Sequence, residues 1–173
     1  MTTQPSLLAE QGKQAFSAGK FAQAAEIFSR AAAGFSAAND ALNAAEMKNN
    51  LGVALLKIGK ASEALQAVTG ADKVFEEAGD ARRQGMALGN QADALESLGR
   101  LDEALAAYER SAILLAEAGE SELRAIVLQS IATLKLRRGK MMDAAFSMIG
   151  SIETTPKPNL WQRLLRFFLR LMP

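Results

Sequence analysis

The residues of this sequence that could do chemistry are its carboxylates, its serine–lysine combinations and its carboxamides, because its 173 residues include no Cys and no His. That absence removes Cys/His zinc sites, thiol nucleophiles, disulfide frameworks, His-based triads and haem held by an axial His. The carboxylates that stand together, Glu76/Glu77 and Asp102/Glu103, are neighbours in sequence. On a helix such neighbours point apart instead of converging on one substrate. No serine–lysine pair sits in a nucleophile motif, and the glycines do not form a phosphate-binding loop. The expectation is therefore a chain that is not an enzyme and carries no metal or cofactor. Carboxamides remain, and Asn50 and Asn90 stand forty residues apart. Each offers both a donor and an acceptor, which suits recognition of a backbone amide.

The elements that would position them follow from composition and period. Alanine fills 34 positions while Thr, Val and Ile are sparse, a balance that favours packed helices over sheets. Gly19, Gly59, Gly99 and Gly139 recur every forty residues, and Ala24, Ala64, Ala104 and Ala144 each follow five later. Residues 41–80 and 81–120 agree at 12 of 40 positions, so the chain is built from internal repeats. The first glycine of each unit sits where one helix stops and the next begins. A second break falls at Asn39, Gly79 and Gly119, followed by Asp40, Asp80 and Glu120. Asn is the next-best residue after Gly for a left-handed cap, and an acidic residue suits the start of the helix that follows. The small residues at Ala24, Ala64, Ala104 and Ala144 let antiparallel helices approach, with Phe28, Val68, Tyr108 and Met148 filling the space beside them. Helix pairs are predicted at about 6–18/21–37, 40–58/61–77, 80–98/101–117 and 120–138/141–152.

These units resemble tetratricopeptide (TPR) repeats, in the 40-residue form of kinesin light chains and many bacterial regulatory proteins. The matching residues are Leu51-Gly52, Gly59-Lys-Ala-Ser-Glu-Ala-Leu, Gly99-Arg-Leu-Asp-Glu-Ala-Leu-Ala-Ala-Tyr and Gly19-Lys-Phe-Ala-Gln-Ala-Ala-Glu-Ile-Phe. The resemblance implies an all-α fold: a right-handed superhelical solenoid of four helix pairs. It divides residues 1–152 into repeats at about 5–38, 45–78, 85–118 and 125–152. In such proteins the first helix of each repeat lines a concave groove that holds a protein or peptide partner. In register, the groove-facing slot falls on Glu10, Asn50, Asn90 and Ser130, with Lys13, Val53, Asp93 and Thr133 one turn on and Lys57, Ser97 and Arg137 beyond. Two roles stay open for the asparagines: backbone recognition of a bound segment, or hydrogen bonds between adjacent helices. The slots that a chaperone-tail clamp fills with Lys and Arg hold Ala9, Met86 and Asn90 here, so a chaperone C-terminus is not the expected ligand. The runs Arg82-Arg83 and Lys135/Arg137/Arg138/Lys140 read as solvated faces or as cations complementing a helix C-terminus. With a net charge of +1 and Trp161 as the single Trp, no nucleic-acid partner is expected.

The composition changes after residue 152. Residues 153–158 contain Pro156 and Pro158 and read as a linker. Residues 159–173 read as a basic amphipathic helix with Asn159 as its N-cap. Arg163, Arg166 and Arg170 fall with Gln162 in one narrow sector, while Leu160, Trp161, Leu164, Leu165, Phe167, Phe168, Leu169, Leu171 and Met172 cover the rest. The charge divides the same way, net −2 over residues 1–152 and net +3 over residues 153–173. Thirteen helical residues span only ~20 Å, short of the ~30 Å hydrocarbon core, so the helix would lie on an anionic membrane surface and not cross it. Two alternatives stand beside that reading: docking on a partner, a second copy or its own groove, and capping the last repeat. No N-terminal targeting segment or transmembrane run is visible, which makes the cytoplasm, or the cytoplasmic face of a membrane, the expected location. The functional expectation is a non-catalytic adaptor or scaffold tethered at a membrane. The alternative is a structural or assembly subunit whose terminal helix docks on a neighbour.

Overall fold

In a computed structural model, residues 4–137 and 147–151 are described. They are all-α: α1 (Pro5–Ser17), α2 (Phe21–Ala37), α3 (Ala41–Lys57), α4 (Ala61–Val68), α5 (Ala71–Glu77), α6 (Ala81–Ser97), α7 (Leu101–Glu117) and α8 (Ser121–Arg137), with a further helical stretch at 147–151. Consecutive helices pack in antiparallel pairs as TPR-like repeats. α1, α3, α6 and α8 are the first helices of their repeats, and α2, α4–α5 and α7 the second.

The turns between them share one hydrogen-bond pattern. At the end of α1 the Gly19 N–H donates to the Phe16 carbonyl and the Lys20 N–H reaches back five residues to Ala15, both at 2.9 Å. The same pair of bonds recurs after α2, α3, α5, α6 and α7, and it satisfies helix-end carbonyls that would otherwise lack donors. The pattern requires a left-handed residue, and where the other turns use Gly, the first repeat uses Asn39 at φ 57°. Asp40 and Asp80 then cap α3 and α6: their carboxylates accept from the backbone N–H of Asn43 at 3.1 Å and of Arg83 at 2.8 Å.

The helix pairs are held by close contact at one point per repeat. Ala24, Ala64 and Ala104 are fully buried, and Phe28, Val68 and Tyr108 beside them are each 2 % exposed. Opposite stand residues with little or no side chain. A Cβ on Gly12 would lie 2.6 Å from the Phe28 ring, and one on Gly52 would overlap Val68 Cγ1. Ala92 occupies the corresponding place in the third repeat and is fully buried. Met148 departs from the expectation: it is 40 % exposed, so it does not fill the space that Phe28, Val68 and Tyr108 fill.

The helix expected over 61–77 is two helices. Thr69 takes an extended conformation (ψ 126°) and Gly70 a left-handed one (φ 84°). The chain bends there, and the Thr69 hydroxyl donates to the Leu65 carbonyl at 2.6 Å. The bend has a packing consequence. α5 turns its Phe75, 1 % exposed, into a separate core with Ala45, Ala71 and Ala87 between α3 and α6. The Arg83 guanidinium lies 5.1 Å from the centre of that ring, a cation–π contact that joins the second repeat to the third. Of the fourth repeat's expected second helix, 141–152, only 147–151 is described, where Ser151 donates to the Ala125 carbonyl of α8 at 2.8 Å. The expected C-terminal helix over 159–173 lies outside the described residues.

Both caps are doubly bonded, the second oxygen of Asp40 accepting from Asn43 Nδ2 and that of Asp80 from Arg83 Nε, each at 2.6 Å, but at Asp80 the donor also carries a charge. These bonds to the backbone and side chain of Arg83 hold the Asp80 pKa below the ordinary 3.8. The folded chain therefore favours the carboxylate, and that stabilisation is present above pH 3.8 and is lost as the pH falls through the lowered value. We expect Asp80→Ala to lower stability by about 1 kcal/mol at pH 7. The gap to the parent should close in denaturant melts below pH 3.8; a gap of the same size at pH 7 and pH 2 would show that the carboxylate is not the cap.

Candidate functional site

The face built by the first helices carries the polar residues that the register singled out, and their bonding sorts them. Asn90 is half-committed: its Nδ2 donates to Asn49 Oδ1 on α3 at 3.0 Å. Asn49 is buried, 6 % exposed, and it stands one position before the Asn50 of the expected ladder. The cross-helix bond is thus Asn49–Asn90. Asn50, half-buried on the same face, and Ser130, forty residues beyond Asn90, make no side-chain hydrogen bond among the described residues. Val53 lies half-buried on α3 and Lys57 exposed at its end. Lys13 is held by Glu10 at 3.0 Å. The hydroxyls of Ser97 and Thr133 are turned back onto their own helices, donating to the Asp93 carbonyl at 2.8 Å and the Gln129 carbonyl at 3.0 Å.

Asp93 is part of a cluster that the register did not announce. The Tyr108 hydroxyl of α7 reaches it, with Oη 2.5 Å from Asp93 Oδ1 and 3.1 Å from Glu96 Oε2. Glu96 in turn is bound by Arg137 of α8, Nη1 to Oε1 at 2.8 Å. Asp93 has no ion-pair partner among the described residues. Asp93 is solvent-exposed as a residue, yet the protein around its carboxylate displaces part of the water there. That loss of water pushes its pKa up, the Tyr108 bond pulls it down, and the Glu96 charge raises it against a smaller opposing effect of Lys57. Burial, then the neighbouring carboxylates, push the Tyr108 hydroxyl well above its ordinary value, so it stays a neutral donor. The cluster can orient and bind; it holds no base positioned against a nucleophile.

The cations read as solvated faces are mostly joints between repeats. Arg82 pairs with Glu120 at 2.6 Å, Arg83 with Glu46 at 3.4 Å, and Lys135 with Glu109 at 3.2 Å. With Arg137–Glu96 they link neighbouring repeats, three of the four at spacings near the forty-residue period and Lys135–Glu109 at a shorter one. Solvent-accessible pairs of this kind each add little stability.

Between α6 and α8 the face opens into a slot of about 140 Å³. Met86, Leu123, Ile126 and Val127 form its walls, Tyr108, Ser111 and Leu115 of α7 its floor, and Asn90, Asp93 and Ser130 its rim. Ile126 is 62 % exposed at its mouth. Gly89 lines the slot and adds no side chain to it. In the preceding repeat the same position is Asn49, whose Oδ1 accepts from Asn90 Nδ2 across α3 and α6. A larger hollow of about 480 Å³ lies at the Thr69–Gly70 bend, but its lining is chiefly alanine, serine and backbone, with Val74 the longest apolar side chain. Among the described residues no cluster of three or more Asp or Glu side chains could hold a metal ion.

Gly89, in the middle of α6, is also a glycine whose missing side chain packing does not demand, unlike the other interior glycines of α1–α8. Added Cβ atoms at Gly12, Gly34, Gly52 and Gly85 would crowd Phe28, Pro5, Val68 and Leu115 inside 3.0 Å; at Gly89 the nearest atom is Ser111 Oγ at 3.4 Å. The out-of-register glycine was the sequence signal for this slot. We expect Gly89→Ala to raise stability by about 0.5–1 kcal/mol, the helix-interior gain over glycine. Gly52→Ala should instead cost about 1–3 kcal/mol through overpacking against the stiff Val68 side chain. Chemical denaturation of the two variants checks this, and a loss of stability at Gly89 would mean that the slot is filled in the folded chain.

Comparison with known proteins places this geometry. The family described as soluble NSF attachment protein, SNAP, matches residues 8–160, and the chain belongs to that family. No curated protein matches it in sequence. Among solved structures it is similar to BtubC (BKLC) from P. vanneervenii, with a TM-score of 0.78 and 15% identity over 90% of this chain and 67% of that one. It is similar too to the nearly identical TPR-like repeats of a Podosopora anserina kinesin light chain, with a TM-score of 0.73 and 16% identity over 88% of this chain and 76% of that one. At such identities the likeness is one of fold, and it agrees with the TPR resemblance read from the repeats.

Proposed function

We propose that this member of the SNAP family is a non-catalytic adaptor that holds an extended segment of a partner protein along the face of α3, α6 and α8. TPR-like repeat domains of this family are typically protein–protein interaction modules, which supplies the class. The observation that carries the assignment to this face is the placement of Asn50 and Ser130: both present polar side chains with no hydrogen-bond partner among the described residues, on either side of an open apolar slot. Elsewhere on the face most charged and polar groups are already engaged with one another. A peptide backbone laid across the first helices would meet a carboxamide, the free oxygen of Asn90 and a hydroxyl at one-repeat intervals. Its hydrogen bonds would be satisfied without reading its side chains.

The second part of the proposal concerns residues 159–173. No helix among the described residues is long and apolar enough to cross a membrane. The narrow arginine sector at Arg163, Arg166 and Arg170 and the wide apolar remainder support attachment to an anionic membrane surface. The adaptor would then hold its partner close to a bilayer, on the cytoplasmic side.

Both parts can be checked separately. A photo-crosslinking residue placed at Asn50 or Ser130 in cells should give one discrete adduct, and the same residue at Ile113, 60 % exposed on α7, should not. Vesicle flotation of the full chain should show binding to anionic but not neutral lipid, lost at high salt and lost when residues 153–173 are removed. A full chain that stays behind with every lipid overturns the tether. A removal that leaves the remaining chain insoluble favours the alternative of an obligate subunit whose terminal helix is covered by a neighbour.

A further inference from the structure

The slot between α6 and α8 lies within the proposed groove, and its chemistry narrows what the partner segment must carry. A cavity of about 150 Å³ lined by aliphatic and aromatic side chains accommodates one benzene-sized molecule. The slot, at about 140 Å³, is therefore the size of one leucine, methionine or phenylalanine side chain. Its mouth leaves Ile126 exposed to water, and an apolar occupant would cover it. Glycine at position 89 keeps the space open at a cost to the helix that no packing contact demands. At the rim, the carboxylates are unevenly compensated. Glu96 has Arg137 at 2.8 Å, whereas Asp93 has the Tyr108 hydroxyl and, among the described residues, no cation in contact. Loss of water around the Asp93 carboxylate raises its pKa, the Glu96 charge adds to the rise, and a cation brought alongside would offset it.

We propose that this slot is a specificity pocket for an extended peptide in which one leucine, methionine or phenylalanine seats above Gly89 and an adjacent lysine or arginine pairs with Asp93. The inference rests on the groove reading above. The floor is neutral and fixed: Ser111 is spent on the Gly85 carbonyl at 2.7 Å, so nothing at the bottom of the slot asks for a polar group. An acidic neighbour in the peptide would meet Asp93 and Glu96 and be rejected. Asn90 and Ser130, on the two sides of the slot, would hold the backbone that carries the seated residue.

The test uses the full chain and fluorescein-labelled nine-residue peptides on a Gly/Ser background. The centre is Leu, Met, Phe or Ala, the adjacent residue Lys, Ser or Glu, and one further probe carries this chain's own residues 162–170. Anisotropy titrations should show Leu, Met and Phe with Lys binding at least tenfold tighter than Ala with Lys, and Lys preferred over Glu by fivefold or more. Gly89→Leu fills the slot and should erase the preference at the centre. Gly89→Ala, which only narrows it, should penalise Phe more than Leu in a chain that remains fully folded. Asp93→Asn should erase the preference for Lys while keeping that for Leu over Ala. If peptides bind and lose affinity with Asn50→Ala, but ignore both the centre residue and Gly89, the pocket is wrong and the groove stands. If no probe binds at millimolar concentration, both are wrong. If the 162–170 probe binds tightest and Gly89→Leu abolishes it, the slot belongs to the chain's own C-terminal segment and the partner assignment is overturned.

Discussion

The whole molecule depends on how closely two helices of a repeat can approach. Once every forty residues a fully buried alanine of the second helix, Ala24, Ala64 or Ala104, meets a first helix that offers Gly12, Gly52 or Ala92 in return. One large side chain per repeat, Phe28, Val68 or Tyr108, then fills the remaining volume. Helices with larger residues at these points would stand further apart, and the turns, only a few residues long, could not reach. The shared turn geometry and the periodic small residues therefore act as one constraint.

That constraint determines what is left for function. With the second helices supplying the packed layer, the first helices expose one face, and the polar links between repeats align it. The third repeat shows the conversion of packing into a site. Its large residue is a tyrosine, not Phe or Val, so the side chain that fills the helix pair also carries a hydroxyl through to Asp93 and Glu96. Its first helix has Gly89 where the repeat before has Asn49, so the carboxamide that reaches from α3 to α6 has no counterpart reaching from α6 to α8, where the slot lies. A change of two residue types against the repeat pattern separates a structural joint from a pocket.

Much of this was legible in the residues. The forty-residue spacing located every turn from Gly19 to Gly119, and Asn39 was readable as a left-handed cap because carboxamide residues tolerate that conformation better than other non-glycines. The bend at Thr69–Gly70 was not. An interior glycine in an otherwise helical pattern costs a helix only about 1 kcal/mol, so the sequence alone did not oppose continuity; the burial of Phe75 between α3 and α6 decides the matter, and that is a tertiary fact. The Asn49–Asn90 bond shows the same limit at the site. Two adjacent asparagines lie within reach of one partner, and only the rotation of α3 says which of them faces it. Glu46, Glu96, Glu109 and Glu120 could each have paired with several cations, since side chains this long reach many neighbours.

The most direct test of the account is a map of where an apolar, lysine-flanked peptide touches the protein, read from methyl and side-chain amide shifts in a nuclear magnetic resonance titration. The account predicts that the methyl signals of Met86, Leu123, Ile126 and Val127 move together with the Asn50 and Asn90 carboxamides, while Ile113 on the solvent side of α7 stays fixed. Shifts confined to Ile113, or to Ala45 and Val74 around the hollow at the Thr69–Gly70 bend, would contradict it and move the binding face away from the slot.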